Sequence, residues 1–391
     1  MHSMYIPRFA EPTLRKLING YPVIVLTGPR QSGKTTLVRH VFEDMAYVSL
    51  EEPDQREFAL TDPRGFLGTI PRRAILDEVQ RAPDLLSYIQ SIVDQEQDRA
   101  RYILTGSQQF GLLSTITQSL AGRAALVRLL PFSLGELKGN GQAPDRLENL
   151  LWQGLYPPIH DRRLEPDIWY SNYVNTYLER DVRQMVNVRD LSTFQRFLRM
   201  CAARTGQLLN LSSLATDCGI THNTAKAWIS VLEAGYIVHL LLPHHVNFGK
   251  RLIKTPKLYF LDPGLASWLL GIQRSDQLAT HPMRGPLFET WVVSEFLKAR
   301  FHQGKASNLF FWRDRTGHEV DVLIDTGSAL KPVEIKSGAT VTRDFFSGLR
   351  FWQDLSGEKG DLPILVYGGA EQQERSTASV IPWRRIDSIE V

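Results

Sequence analysis

A chain of 391 residues has material for two or three hydrophobic cores, and 43% hydrophobic with 22% charged residues is ordinary globular composition. A formal net charge of +3 excludes nucleic-acid binding by bulk charge, so any basic surface must be local. Two cysteines, Cys201 and Cys218, exclude a disulfide framework or a cysteine-based zinc site and read as small packing residues in a reducing compartment. Arg8, Glu11, Arg15 and Lys16 interrupt the first apolar residues, and no run reaches the roughly 18 apolar residues of a membrane span, so a cytoplasmic chain with no membrane partner is expected.

In chain order, Val23-Ile24-Val25-Leu26 reads as a strand ending at Thr27-Gly28, followed by a helix from Lys34 to about Val41. Further strands are expected at Tyr47–Leu50, at Ala74-Ile75-Leu76 before Asp77-Glu78, at Tyr102-Ile103-Leu104 before Thr105-Gly106, and at Leu126–Leu130. Continuous apolar strands alternating with helices predict a parallel sheet covered on both faces, with ligands at the strands' carboxyl ends. Gly135 to Pro144 reads as a boundary loop, Leu147 to about Arg204 as helical, and Leu208 to Val238 as a helix-turn-helix. From Met283 onward the pattern is helix, three strands, helix and two further strands. The fold class is therefore α/β, and the expected segments are a P-loop core (1–140), a helical lid and linker (141–206), a winged helix-turn-helix (207–282) and a small α/β domain (283–391).

Gly28-Pro29-Arg30-Gln31-Ser32-Gly33-Lys34-Thr35 fits G-x-x-x-x-G-K-S/T at every fixed position, with Thr36 following. The glycines let backbone N–H groups cradle phosphates at the positive end of the next helix. Lys34 is expected on the β- and γ-phosphates of ATP and Thr35 on Mg²⁺. Asp77 is expected to hold the metal through water and Glu78 to act as general base, while Ser107 or Gln108, past the next strand, is placed to sense the γ-phosphate. This order of parts resembles the AAA+ superfamily over roughly Met4 to Val188. The resemblance implies an arginine finger at Leu120-Ala121-Gly122-Arg123-Ala124, so Arg123 would reach a neighbouring subunit's γ-phosphate in a homo-oligomer or ring. No second sensor arginine is clear; Arg180 and Arg183 are candidates that a salt-bridged surface explains equally well.

Leu211 to Ile220 reads as a short helix and a glycine turn, after which Thr221 caps a second helix. His222, Asn223, Thr224 and Lys226 would lie on its outer face, able to meet a groove or phosphates of DNA. No acidic residue occurs between Glu233 and Asp262, a gap holding His244, His245, Lys250, Arg251, Lys254 and Lys257. A basic wing on DNA phosphates is the expectation, with a wing used for protein contacts as its alternative.

Near the C-terminus stand Glu289 on a helix, Asp321 on a strand after a turn at Arg315-Thr316-Gly317, and Glu334 with Lys336 on one face of the next strand. His318 and Glu319 lie beside them. Acids and a lysine converging on one sheet face suit divalent-metal phosphodiester cleavage with Mg²⁺ or Mn²⁺. The arrangement resembles the PD-(D/E)xK nuclease fold, which implies metal ligation by Asp321, Glu334 and Glu289 with Lys336 beside them; valine, not proline, precedes Asp321. Over nearly all residues the chain resembles a prokaryotic group of AAA+ ATPases joined to winged-helix and nuclease-like parts. Gly-Pro-Arg-Gln-Ser-Gly-Lys-Thr-Thr, Ile-Leu-Asp-Glu-Val-Gln, Leu-Thr-Gly-Ser, Val-Asp-Val-Leu-Ile and Glu-Ile-Lys-Ser-Gly carry that likeness. The expected function is an oligomeric, DNA-associated ATPase; the alternatives are an ATP-regulated metal-dependent nuclease and a nucleotide-driven scaffold that cuts nothing.

Overall fold

The computed structural model describes residues 5–96, 101–107, 119–178, 191–244, 253–357 and 362–391. The chain forms two compact units: Met1–Phe132 with Ala234–Tyr236 and Arg300–Ala306, and the remainder from Ser133 onward.

The first unit runs α1 (Glu11–Leu17), β1 (Val23–Thr27), α2 (Lys34–Val41), β2 (Ala46–Ser49), α3 (Pro53–Thr61), α4 (Pro63–Thr69), β3 (Ala74–Asp77), α5 (Leu85–Glu96), β4 (Tyr102–Gly106) and β5 (Ala124–Arg128). Its five strands are parallel in the order β2-β3-β4-β1-β5. All five residues of β1 are buried because both sheet faces are covered. Val23 and Val25 pack with Leu76, Leu104, Leu85 and Ile89 on one side. Ile24 and Leu26 pack with Leu37, Val38, Ile103 and Val127 on the other. Alternation of side chains along a strand sends successive residues into opposite cores, which is why the run is continuously apolar. Each fully buried Leu, Ile or Val stabilises the sheet by about 1.5–3 kcal/mol. The sheet order brings the ends of β1, β4 and β3 side by side.

The second unit begins with α6 (Leu134–Gly139), where sequence glycines had suggested a loop. The reason is a capping box: Glu136 N donates to Ser133 Oγ (3.2 Å) and Ser133 N donates to Glu136 Oε2 (2.8 Å). Then follow α7 (Leu147–Gln153), α8 (Pro157–Asp161), α9 (Pro166–Tyr173), a π turn (Val174–Leu178) and α10 (Leu191–Ala202). β6 (Gln207–Leu208), α11 (Leu211–Cys218), α12 (His222–Ala234), β7 (Val238–Leu241) and β8 (Lys257–Phe260) come next, with the strands antiparallel in the order β6-β8-β7. Gly219 ends α11 in the left-handed conformation (φ 68°), and Thr221 Oγ1 accepts from Thr224 N (3.1 Å) at the start of α12. Cys201 and Cys218 are buried thiols, and burial pushes Cys201 well above the ordinary range.

After α13 (Pro263–Leu269) come α14 (Arg284–Phe301), β9 (Leu309–Arg313), β10 (Glu319–Asp325), β11 (Leu330–Lys336), α15 (Ser347–Ser356), β12 (Ile364–Tyr367), β13 (Gln373–Arg375) and β14 (Ala378–Pro382). The sheet order is β13-β14-β12-β11-β10-β9. β9, β10 and β11 form an antiparallel meander, while β11, β12 and β14 are parallel. Three strands follow the last helix, not two, because the short β13 pairs on the edge. Among the described residues no helix is long and apolar enough to cross a membrane.

Candidate functional site

β1 delivers the chain into the loop Gly28–Gly33, and α2 leaves it at Lys34. Gly28 admits no side chain: a Cβ there would lie 2.0 Å from Leu129 O, a backbone atom of the segment after β5. Gly33 (φ 90°) and Gln31 (φ 60°) take the left-handed turns that curl the loop. Pro29 is buried, Arg30 and Gln31 half-buried, and Thr36 exposed on the first turn of α2. Lys34 is only 5% exposed, and its ammonium donates to Gly28 O (3.0 Å) and Pro29 O (2.8 Å), inside the curl where a phosphate chain would pass. Ser32 Oγ is buried with no hydrogen-bond partner among the described residues, an interior polar atom suited to a ligand oxygen.

Asp77, last in β3, collects hydroxyls. Thr35 Oγ1 donates to its Oδ2 (3.0 Å), Tyr47 OH to the same oxygen (2.6 Å), and Thr105 Oγ1 to Oδ1. Burial, then the bond to Asp77, hold the Tyr47 phenol well above its ordinary range. The Thr35 hydroxyl and this carboxylate are hard oxygen donors, the kind that Mg²⁺ takes. Glu78 sits in the left-handed region (φ 57°), and its carboxylate takes partners different from those of Asp77. Its Oε2 accepts from Gln80 Nε2 and from Ser107 Oγ (3.2 Å), and Gln80 Nε2 lies 3.3 Å from Ser107 Oγ. Glu78 and Ser107 thus meet at neighbouring strand ends. Gln80 was missed in the sequence, although its place two residues beyond the acid pair was a usable signal.

Two further residues touch this frame without a local signature. Arg8 is 4% exposed, and its guanidinium donates to Ser32 O (2.8 Å) and Leu130 O (2.7 Å) while lying 4.7 Å over the Phe132 ring. Tyr236 OH lies 2.7 Å from Thr27 Oγ1, directly before Gly28. Arg123, in the turn before β5, bonds Asp94 through Nε and Nη2 (2.9 Å) and Ala121 O through Nη1 (3.0 Å). Its charge is held on its own chain by an exposed pair that solvent screens. Gln108, Arg180 and Arg183 lie outside the described residues.

In the second unit His222, Asn223 and Lys226 are exposed on α12, Thr224 is half-buried at its cap, and Lys254 is exposed. His245, Lys250 and Arg251 lie outside the described residues. Lys257 requires correction. It is 3% exposed in β8, not on a solvent-facing wing, because two carboxylates take its charge: Glu289 (3.0 Å) and Glu319. Burial works against that charge, but Glu289, Tyr259, Asp321 and Glu319 hold the amine well above its ordinary value.

The acid–lysine cluster follows from the register. Asp321 Oδ2 accepts from Ile335 N (2.8 Å) and lies 3.5 Å from Lys336 Nζ, which also donates to Glu334 Oε1. Burial, then the neighbouring Asp321, push Glu334 up to about 8, and its Oε2 has no hydrogen-bond partner among the described residues. Glu289 does not complete a ligand set as expected: its Oε1 accepts from Lys257 and Tyr259. Among the described residues no three His, Cys, Asp or Glu side chains are grouped to hold a metal ion. His318 stacks on Phe351 (3.8 Å) and bonds Asp314, and Glu319 turns to Lys257 and Arg313.

A P-loop ahead of α2, an acid pair ending β3 and a polar residue past the intervening β4 define an AAA-type P-loop ATPase domain. Residues 20–138 match the AAA domain family, residues 144–276 a Domain of unknown function (DUF8612) and residues 284–386 a Domain of unknown function (DUF4143). Uncharacterized proteins of Mycobacterium tuberculosis and Mycobacterium bovis are each 31% identical over 348 residues, covering 88% of this chain and 77% of theirs. The chain belongs to the family of these mycobacterial proteins. Among solved structures, the Walker-type ATPase of Pyrococcus abyssi is similar at 18% identity and TM-score 0.45, covering 66% of this chain and 94% of that one. The Holliday junction branch migration motor of Thermotoga maritima is similar at 17% identity and TM-score 0.29, covering 59% and 89%.

Proposed function

We propose that the chain binds and hydrolyses MgATP and couples turnover to DNA. The observation that carries the ATP part is the convergence of Lys34, Thr35, Asp77 and Glu78 at adjoining strand ends. The loop amides and Lys34 would neutralise the triphosphate, and Thr35, with Asp77 through water, would hold Mg²⁺, which supplies charge stabilisation when bound. Glu78, oriented by Gln80 and Ser107, takes the proton of the attacking water. Arg123 exchanges its pair with Asp94 for a neighbouring subunit's γ-phosphate, which makes an oligomer the active form.

For the DNA part, α11 and α12 with the β6-β8-β7 sheet read as a winged helix, offering His222, Asn223, Thr224, Lys226 and Lys254, with Lys250 and Arg251, to DNA. The second sheet, with Asp321, Glu334 and Lys336 on adjacent strands, reads as a nuclease-like domain. Two carboxylates and an unsatisfied Glu334 oxygen suit a hard cation, but Glu289 is neutralised by Lys257, so the set for divalent-metal cleavage is incomplete. That observation favours a binding role over cutting.

The experiment is ATP turnover with and without single-stranded, duplex and forked DNA. Lys34→Ala is expected to lose nucleotide binding, and Glu78→Gln to bind ATP with turnover lowered about 10²-fold or more. Normal hydrolysis in both variants refutes the ATP site; absent stimulation and no salt-sensitive DNA binding refute the DNA part.

A further inference from the structure

The parallel strands β11, β12 and β14 end side by side, and the residues just past them wall an open cleft of about 710 Å³. Carboxyl ends of strands are where open α/β sheets take ligands. Two glycines line the cleft beside the Tyr367 ring. A Cβ at Gly368 would lie 2.2 Å from Ser337 O, and one at Gly369 2.6 Å from Ala339 O, so neither position carries a side chain into the space.

The walls carry four arginines drawn from distant parts of the chain: Arg146 before α7, Arg284 opening α14, Arg375 ending β13 and Arg384 beyond β14. Three acids line the same cleft, Asp145, Glu148 and Glu371. Glu148 is consumed within the wall, 3.0 Å from Arg284 and 3.5 Å from Arg146. The Asp145 backbone oxygen fixes Arg384, which also lies 4.7 Å over the Trp383 ring. Arg375 lies 5.2 Å over the Phe346 ring, and its Nε (3.0 Å) and Nη2 (2.6 Å) both donate to Gln373 Oε1. A guanidinium carries five N–H donors, so Arg375 and Arg384 each have further N–H groups for phosphate oxygens beyond these bonds. The 18-residue α14 adds its positive end at Arg284. On this segment the cleft starts at Ala339, three residues beyond Lys336, whose carbonyl accepts from Gly368 N (3.0 Å). Its openness, with donors on separate walls, fits an extended polyanion better than an enclosed small molecule.

We propose that this cleft binds the phosphodiester backbone of a nucleic-acid strand beside the acid–lysine cluster; the proposal rests on the DNA-associated reading above. The test uses the full chain, fluorescence anisotropy with labelled single-stranded and duplex DNA, and salt from about 50 to 200 mM. Arg375→Ala with Arg384→Ala is expected to weaken binding about tenfold. It should also flatten the plot of log K against log salt by about 0.7 to 0.9 per lost contact, or about 1.4 to 1.8 in all. ATP turnover without DNA should stay unchanged, and an unchanged urea-unfolding midpoint of the second unit reports its intact folding. If wild type binds DNA and the double variant matches it in affinity and slope, the cleft proposal falls while DNA association stands. If wild type binds no DNA, the DNA reading falls and takes the cleft with it. Loss of inorganic pyrophosphate binding in the variant, with DNA binding untouched, overturns the proposal in favour of a small anion.

Discussion

Replacing Arg8 by Met isolates what a buried guanidinium contributes to the phosphate loop. The long apolar stem stays, so packing against Phe132 is largely kept, and the fork is lost. Two buried carbonyls, Ser32 O and Leu130 O, lose donors at 2.8 and 2.7 Å. A charged hydrogen bond contributes about 1.5–3 kcal/mol net, and an orphaned buried acceptor costs about 1–3 kcal/mol. Counting each oxygen once gives a loss of about 3–6 kcal/mol, a large share of the 5–15 kcal/mol typical of a domain. Because Ser32 belongs to the phosphate loop, part of the loss should appear as weaker nucleotide binding. An unanchored loop must be ordered by the ligand, and about 1.4 kcal/mol spent that way is tenfold in Kd. Urea unfolding followed by a probe on the first unit and titration with a fluorescent ATP analogue read the two effects. Arg8→Lys should fall between, since an ammonium lacks the planar fork. A midpoint shift worth under about 0.5 kcal/mol, with unchanged nucleotide affinity, refutes the reasoning.

Lys257→Met should destabilise the second unit by about 3–5 kcal/mol, since Glu289 loses the buried cation that balances it, while Glu319 keeps only Arg313. Adding Glu289→Gln should recover part of that loss in urea unfolding; additive losses contradict the pairing. His160, buried and donating to Gly154 O (2.9 Å), is pushed by burial down to about 4 from an ordinary 6.5. The folded state then holds fewer protons than the unfolded between those values, so stability is complete above about 6.5 and lost as pH falls toward 4, by about 2 kcal/mol between pH 7 and pH 5. His160→Gln keeps a donor and removes the titration, so its stability should flatten with pH; parallel curves for the two proteins refute the assignment.

What the sequence made legible is local. The phosphate loop announces itself because its glycine positions, the preceding apolar run and the following helix are contiguous, and α11 and α12 because Gly219 and Thr221 are cap residues at fixed offsets. The acid pair and Ser107 were found because each ends an apolar run. Arg8 was invisible: its acceptors lie 24 and 122 residues away, and nothing around it in the chain distinguishes it from a surface arginine. α6 was missed for a different reason. Glycine count outweighed a readable Ser133-x-x-Glu136 pair, and capping decides a helix start more directly than composition does.

Lys257 marks the harder limit. A stretch without acids reads as a basic surface only if its cations have no partners elsewhere, and the partners of Lys257 are 32 and 62 positions downstream, on α14 and β10. The same contacts change the meaning of the acid–lysine motif. Glu289 gives its carboxylate to an internal ammonium and a phenol, so a divalent cation at Asp321 and Glu334 would have to compete with Lys257 for it. Both charges are already desolvated, so that exchange costs most of the ion pair's attraction before a metal bond forms. The spacing of Asp321, Glu334 and Lys336 therefore identifies a constellation, while β8, contributed from outside the 284–386 segment, decides its state.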